Sequence, residues 1–336
     1  MTQLESPSRQ FSPARIDSFG SIMNIIKKKT VMRETWIALI ALISLSQPAS
    51  FSAKAQQNFW TGPNAYLGQT PSGDIPEPFA PHLLTDSGYF ILGRVAFSPD
   101  GRQFFYGNND AWFSSEHQRL SYFRFDDASQ KWQGPVMLAR YYSTPTFAMD
   151  GKTLLVRSGY IEKMHETPNG WSAPECWLKR NYPLFDYMPT LSGRAYVGSS
   201  GTWGKPSNAS DWQFAVMPAD IHDTSIKSLG QPLNSPGFNG DFYIAPDESY
   251  IIISAKETPD YECELWISFR NAEDKWSQPQ SLGPAINEGK AHRFGQYVSP
   301  DGKYLFFTKG TSPKDCGLYW VRFDGLLSKM KAQAKW

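Results

Sequence analysis

The residues with chemistry in them fall at, or next to, matching places of a repeated segment. Counting seven residues back from five recurring turns gives Arg94, Thr144, Asp186, Asp241 and Gly295. Two residues earlier stand Leu92, Tyr142, Leu184, Asn239 and Arg293, with His292 beside the last. A ring that sets Arg94 and Arg293 beside Asp186 and Asp241 can grip a charged or polar ligand through charge-assisted hydrogen bonds. The same charges can equally pair with one another in a wet channel. Paired carboxylates also permit acid and base work on a glycosidic bond, with Asp186, Asp241 and, as a third choice, Glu288 in those roles. Trp112 and Trp203 fall in loops on the same side and are the aromatics placed to stack on a glycan. Of the 12 tryptophans, Trp132, Trp171, Trp266, Trp276 and Trp320 sit inside repeated strands, where packing between repeats accounts for them.

Other chemistries lack their residues. There is no Gly-x-Ser-x-Gly elbow, no phosphate-cradling glycine loop and no His-Glu-x-x-His helix. The sialidase-type box Ser-x-Asp-x-Gly-x-x-Trp is absent, because Asp and Gly are adjacent in the turns here. His82, His117, His165, His222 and His292 are scattered, so neither a metal site nor a cofactor is expected. Cys263 and Cys316 occupy equivalent places in neighbouring repeats, too far apart for a disulfide's Cα separation of roughly 4.4 to 6.8 Å. Free thiols are expected there, and with Cys176 as the third cysteine at most one bridge can form in the chain.

The elements that position these residues repeat at a period near 50 residues. The segments are RVAFSPDGRQFFYG from Arg94, TPTFAMDGKTLLVRS from Thr144, DYMPTLSGRAYVGSS from Asp186, DFYIAPDESYIIIS from Asp241 and GQYVSPDGKYLFFTKG from Gly295. Each reads as an apolar strand, a tight turn and a second apolar strand. Pro99 and Pro300 preset φ at the first corner. Asp100, Asp150, Asp247 and Asp301 can bond back to the backbone, and Gly101, Gly151, Gly193 and Gly302 tolerate positive φ.

A third strand follows each hairpin, as in Tyr122-Phe123-Arg124-Phe125, Phe214-Ala215-Val216, Leu265 to Phe269 and Leu318 to Val321. It is weakest in the second repeat, with only Tyr160-Ile161 ahead of the turn at Pro168-Asn169-Gly170. A Trp-x-x-Pro element (Trp132 to Pro135, Trp171 to Pro174, Trp276 to Pro279), degraded at Lys227 to Pro232, reads as a fourth, edge strand, where proline is tolerated. Four antiparallel strands per repeat predict an all-β propeller, with five blades favoured over six. The last repeat has only three strands before a helical tail from Leu326. Ile75-Pro76-Glu77-Pro78-Phe79-Ala80-Pro81 is the orphan that should complete it and close the ring.

Ahead of the repeats, residues 1–55 read as a leader. Translation is expected to start at Met23, followed by Lys27, Lys28, Lys29 and Arg33, an apolar run from Trp36 to Leu45, and cleavage after Ala55. About ten apolar residues fall short of the roughly 20 needed to span a bilayer, so no transmembrane segment is expected in the mature chain, residues 56–336. Of 33 basic and 32 acidic residues in the whole chain, the leader holds seven and three, which leaves 26 against 29. That balance argues against nucleic acid.

With its Pro-Asp-Gly turns, Tyr66-Leu67-Gly68-Gln69, the Glu77-Pro78-Phe79-Ala80-Pro81 stretch, ISFRNAEDKWSQPQSLGPAIN and the final GLYWVRF, the chain resembles WD-repeat-like propellers of the Pro-Asp-Gly type, as in the TolB propeller and many exported bacterial proteins. Leu191-Ser192-Gly193 and Pro246-Asp247-Glu248 depart from the full turn. The resemblance implies a periplasmic or secreted protein. It favours non-catalytic binding of a protein or cell-envelope component, a glycan among the candidates, through the channel-face loops, ahead of a carbohydrate-active enzyme using the channel carboxylates.

Overall fold

The computed structural model describes residues 59–84, 88–112, 116–198, 213–256, 258 and 262–336. They form five antiparallel blades in a five-bladed β-propeller. Blade 1 runs from an innermost strand in two pieces, Phe90–Ile91 and Ala96–Phe97, through Gln103–Asn109 and Arg119–Asp126 to the outer Lys131–Arg140. Blade 2 is Ser143–Phe147, Thr153–Arg157, Ile161–Thr167 and an edge split into Gly170–Trp171 and Glu175–Leu178. Blade 3 is Phe185–Pro189, Ala195–Gly198, Phe214–Met217 and Lys227–Ser228; blade 4 is Phe238–Ile244, Tyr250–Ala255, Glu264–Phe269 and Gln280–Ser281. Blade 5 begins at His292–Val298, continues through Tyr304–Gly310 and Gly317–Arg322, and takes its fourth strand, Glu77–Pro78, from the other end of the chain.

The third strand of blade 2 is longer than its sequence suggests. Glu162, Lys163, His165 and Glu166 mask an alternation in which only Ile161 and Met164 supply buried apolar side chains. Elsewhere each turn is built by one pair of backbone bonds. In blade 5 the amide of Gly302 donates to the carbonyl of Ser299 at 2.8 Å, and that of Ser299 to Tyr304 at 2.9 Å. The equivalents are Gly101 to Ser98, Gly151 to Ala148, Gly193 to Thr190 and Glu248 to Ala245. Asp301 and Asp100 each accept from a serine hydroxyl and a following amide, and Asp150 from the amides of Lys152 and Thr153, as turn aspartates do.

A blade is apolar on both faces, so the core lies between blades. Ile251, Ile253, Ile267, Leu305 and Phe307 fill the gap between blades 4 and 5, where the C-terminal helix Asp324–Ala332 adds Met330. The seam between blades 5 and 1 is aromatic, with Trp60, Tyr66, Phe79, Phe97, Phe306 and Trp320 in one cluster. The N-terminal segment ties that seam to the turns. Trp60 Nε1 donates to the carbonyl of Pro99 at 3.1 Å, and the Tyr66 hydroxyl to Asp301 Oδ2 at 2.7 Å. The tryptophans assigned to packing lie against these and the other clusters, and Trp171 lies edge-on to Phe105 and Phe147 across the blade 1 to blade 2 gap. Among the described residues no helix is long and apolar enough to cross a membrane.

Candidate functional site

The innermost strands do not run straight past the axis. Their pairing slips between Ser143 and Thr146, Phe185 and Met188, Phe238 and Phe242, and Phe294 and Tyr297. In blade 1 the strand breaks outright between Ile91 and Ala96. A bulge re-aims side chains out of the ladder, and these bulges carry Arg94, Thr144, Asp186, Asp241 and Gly295. Thr144 and Asp186 adopt left-handed backbone, at φ 49° and 50°. Gly295, at φ 64°, admits no side chain, because a Cβ there would overlap the carbonyl oxygen of Gly93. Blades 1 and 5 therefore touch backbone to backbone beside the axis.

Arg94 fills the space that remains. Its guanidinium is buried, with Nε and Nη2 donating to Thr146 Oγ1 at 3.3 and 3.1 Å, Nη1 to the carbonyl of Phe242 at 3.3 Å and Nη2 to that of Tyr187 at 3.4 Å. Nη1 also lies 3.7 Å from Asp186. One side chain from blade 1 thus binds blades 2, 3 and 4 across the axis. Burial pulls its pKa down, and the carboxylates of Asp186 and Asp241 pull it back up. Asp241 accepts from the amide of Gly295 at 3.1 Å, which joins blade 4 to blade 5.

Arg157, at the end of the second strand of blade 2, completes this constellation. It is half-buried, and its guanidinium sits 4.2 Å from the ring centroid of Phe185, which is exposed at the mouth. Burial lowers its pKa, against the opposing charges of Asp186 and Asp241. Two carboxylates and two guanidiniums from blades 1 to 4 therefore share one electrostatic neighbourhood. Sequence counting along innermost strands passes over Arg157. The signal for it is positional, since six residues after the turn the other blades carry Gly107, Ser254 and Thr308, all smaller.

The remaining expected residues stand elsewhere. Arg293 is buried away from this constellation, and its five N–H groups donate to the carbonyls of Ile286, Cys263, Ala291, Glu288 and Gly289 at 2.6 to 3.2 Å. It clasps the loop that carries Glu288, whose backbone carbonyl is one of its acceptors. His292 is buried against Phe294, with ring centroids 4.4 Å apart, and burial lowers its pKa to about 4. Trp112 lies 5.2 Å from the His292 ring and hydrogen-bonds the Cys316 thiol, whose pKa burial pushes up to about 12. Tyr142 is half-buried, its pKa raised by burial and by Glu162. Cys176, Cys263 and Cys316 form no disulfide. Trp203, the leader and its Met23 and Ala55 lie outside the described residues.

No family model matches the chain, and no curated protein sequence does. Solved structures do. A glucose dehydrogenase is 14% identical and superposes with a TM-score of 0.42, over 75% of this chain and 87% of its own. The soluble aldose sugar dehydrogenase of Escherichia coli is 14% identical at a TM-score of 0.38, over 75% and 91%. Puromycin hydrolase is 14% identical at 0.36, over 72% of this chain but only 39% of its own. At such identities the likeness concerns the fold alone. These neighbours are named as enzymes and not as binding proteins, which runs against the expectation that put non-catalytic binding first.

Proposed function

We propose that this propeller is a carbohydrate-active enzyme of the glycoside-hydrolase kind, with Asp186 and Asp241 as its carboxylate pair. The observation that carries this reading is that both carboxylates share one electrostatic neighbourhood with Arg94 and Arg157. Glycoside hydrolysis needs two carboxyl groups flanking the bond, one giving a proton and the other activating water or attacking the sugar. In this reading Asp186 and Asp241 divide those two roles between them. The left-handed backbone at Asp186 supports the assignment. Non-glycine residues hold such conformations at a cost of about 1–3 kcal/mol, and they cluster at working sites.

Turnover of a panel of oligosaccharides, followed by new reducing ends, tests the reading. Asp186→Asn and Asp241→Asn should each lower the rate by about a hundredfold or more in a protein that still melts cooperatively. Absence of turnover across the panel, or turnover indifferent to both substitutions, rejects it. The same reading includes the Pro-Asp-Gly, TolB-like type of repeat and an exported protein whose leader ends at Ala55. N-terminal sequencing of the protein recovered outside the cytoplasm should then begin at Gln56, and an intact Met1 or Met23 there refutes the leader.

A further inference from the structure

We infer that Arg157 is a carboxylate receptor, so that the substrate taken at this mouth is a glycan carrying hexuronic acid. The inference rests on the enzyme reading for the word substrate and on separate observations for the acid. Among the described residues, no oxygen lies within hydrogen-bond or ion-pair distance of the Arg157 guanidinium, whose one close contact of note is the Phe185 ring beneath it. Arg94 and Arg293, the other arginines set deep in this face, spend their donors on carbonyls and Thr146. Arg157 alone of the three holds an unused planar fork, partly stripped of water, at the mouth of the channel.

A half-desolvated cation without acceptors is unfavourable, and a carboxylate relieves it best, because its two oxygens match the guanidinium's parallel N–H groups. A neutral sugar offers hydroxyls that satisfy this fork less well. The aromatic underneath fixes the plane of the fork and presents its own exposed surface beside it, as a pyranose face requires. The surroundings suit an anion. Lys179, exposed, lies 4.6 Å from the centroid of Tyr160 in the next loop of the same blade. At the mouth itself Asp186 and Asp241 are offset by Arg94 and Arg157, so an incoming carboxylate meets no net negative field.

The test uses oligomers of uronic acids and the same oligomers with their carboxyl groups reduced to alcohols, titrated into the full chain by calorimetry. The wild type should bind the acid at least about tenfold more tightly than the reduced form. Arg157→Gln should erase the difference, Arg157→Lys should restore only part of it, and Phe185→Ala should shrink it several-fold. Equal melting temperatures establish that each variant is folded. Equal binding of acid and reduced oligomers by the wild type, no binding of either, or discrimination that survives Arg157→Gln overturns the inference. Discrimination lost in Arg157→Gln, but with no turnover, leaves the receptor in place and removes the enzyme reading. Turnover of neutral oligomers without acid preference does the reverse.

Discussion

Glu248 is the residue whose chemistry and position are most at odds. It occupies the place held by glycine in the other four turns, with φ at 61°, and its carboxylate is only 3% exposed. What holds it there is a set of donors from two blades. Thr190, Ser192 and Tyr196 donate to it, Arg194 pairs with it from blade 3, and Arg270 reaches it from its own blade. Burial pushes its pKa up, but the hydrogen bonds from Ser192, Thr190 and Tyr196 and the charge of Arg194 outweigh that, leaving it at about 2. Because the folded pKa lies below the ordinary carboxylate value, the stabilisation is complete above about pH 4.5 and is lost as pH falls toward 2. Replacing it by glycine sets two effects against each other. Relief of left-handed backbone returns about 1 kcal/mol, whereas two guanidiniums left beside an emptied pocket cost about 3–5 kcal/mol. Glu248→Gly should therefore be destabilised at pH 7, despite restoring the turn's usual residue, and its stability should fall less than the wild type's between pH 4.5 and 2. Denaturant melts across that range decide it, and a glycine variant as stable as the wild type at pH 7 contradicts the assignment.

At the scale of elements, the turns were the legible part, because Pro-Asp-Gly fixes a local conformation that needs no partner. The orphan strand at Glu77–Pro78 was legible too, since edge prolines and a missing fourth strand point to each other. The bulges were not. They exist because five innermost strands crowd one axis, and nothing within a single strand announces that crowding. That is why counting placed Arg94 and Asp186 together at the axis but put Arg293 beside them. Arg293 belongs instead to the element before it, the loop over residues 283–291, whose carbonyls it gathers. A lysine there keeps the charge but has three donors on a point centre, and it cannot meet five carbonyls spread around a plane. Arg293→Lys should lose about 2–4 kcal/mol, and the amides of residues 286–291 should exchange faster with solvent. Hydrogen exchange resolved by mass spectrometry reads this directly, and unchanged protection of that loop defeats the clasp.

For the whole molecule the decisive contact is the one between its ends. A propeller blade is stable only while both faces are covered, and blade 5 is covered on one side by an aromatic cluster whose members come from opposite ends of the chain. Phe79 stands 5.1 Å from the Trp320 ring and 5.0 Å from that of Phe306, while its amide donates to the carbonyl of Leu318 at 2.7 Å. Tyr66 packs on Trp320, Phe97 and Tyr304 and bonds the blade 5 turn through Asp301. Removing residues 56–85 deletes an edge strand and also uncovers Phe97, Phe306 and Trp320, which otherwise have no access to water. Truncating Phe79 alone to alanine should cost about 3–5 kcal/mol. The deletion removes that contribution together with those of Trp60 and Tyr66, a sum that reaches the upper part of the roughly 5–15 kcal/mol by which a domain is ordinarily stable. The truncated chain should therefore lack a cooperative melt altogether, whereas Phe79→Ala melts cooperatively at a lower temperature. Calorimetry of the two proteins side by side separates the possibilities. A sharp transition in the truncated chain would mean that blade 5 stands without its borrowed strand and that the ring is held by its axis rather than by its seam.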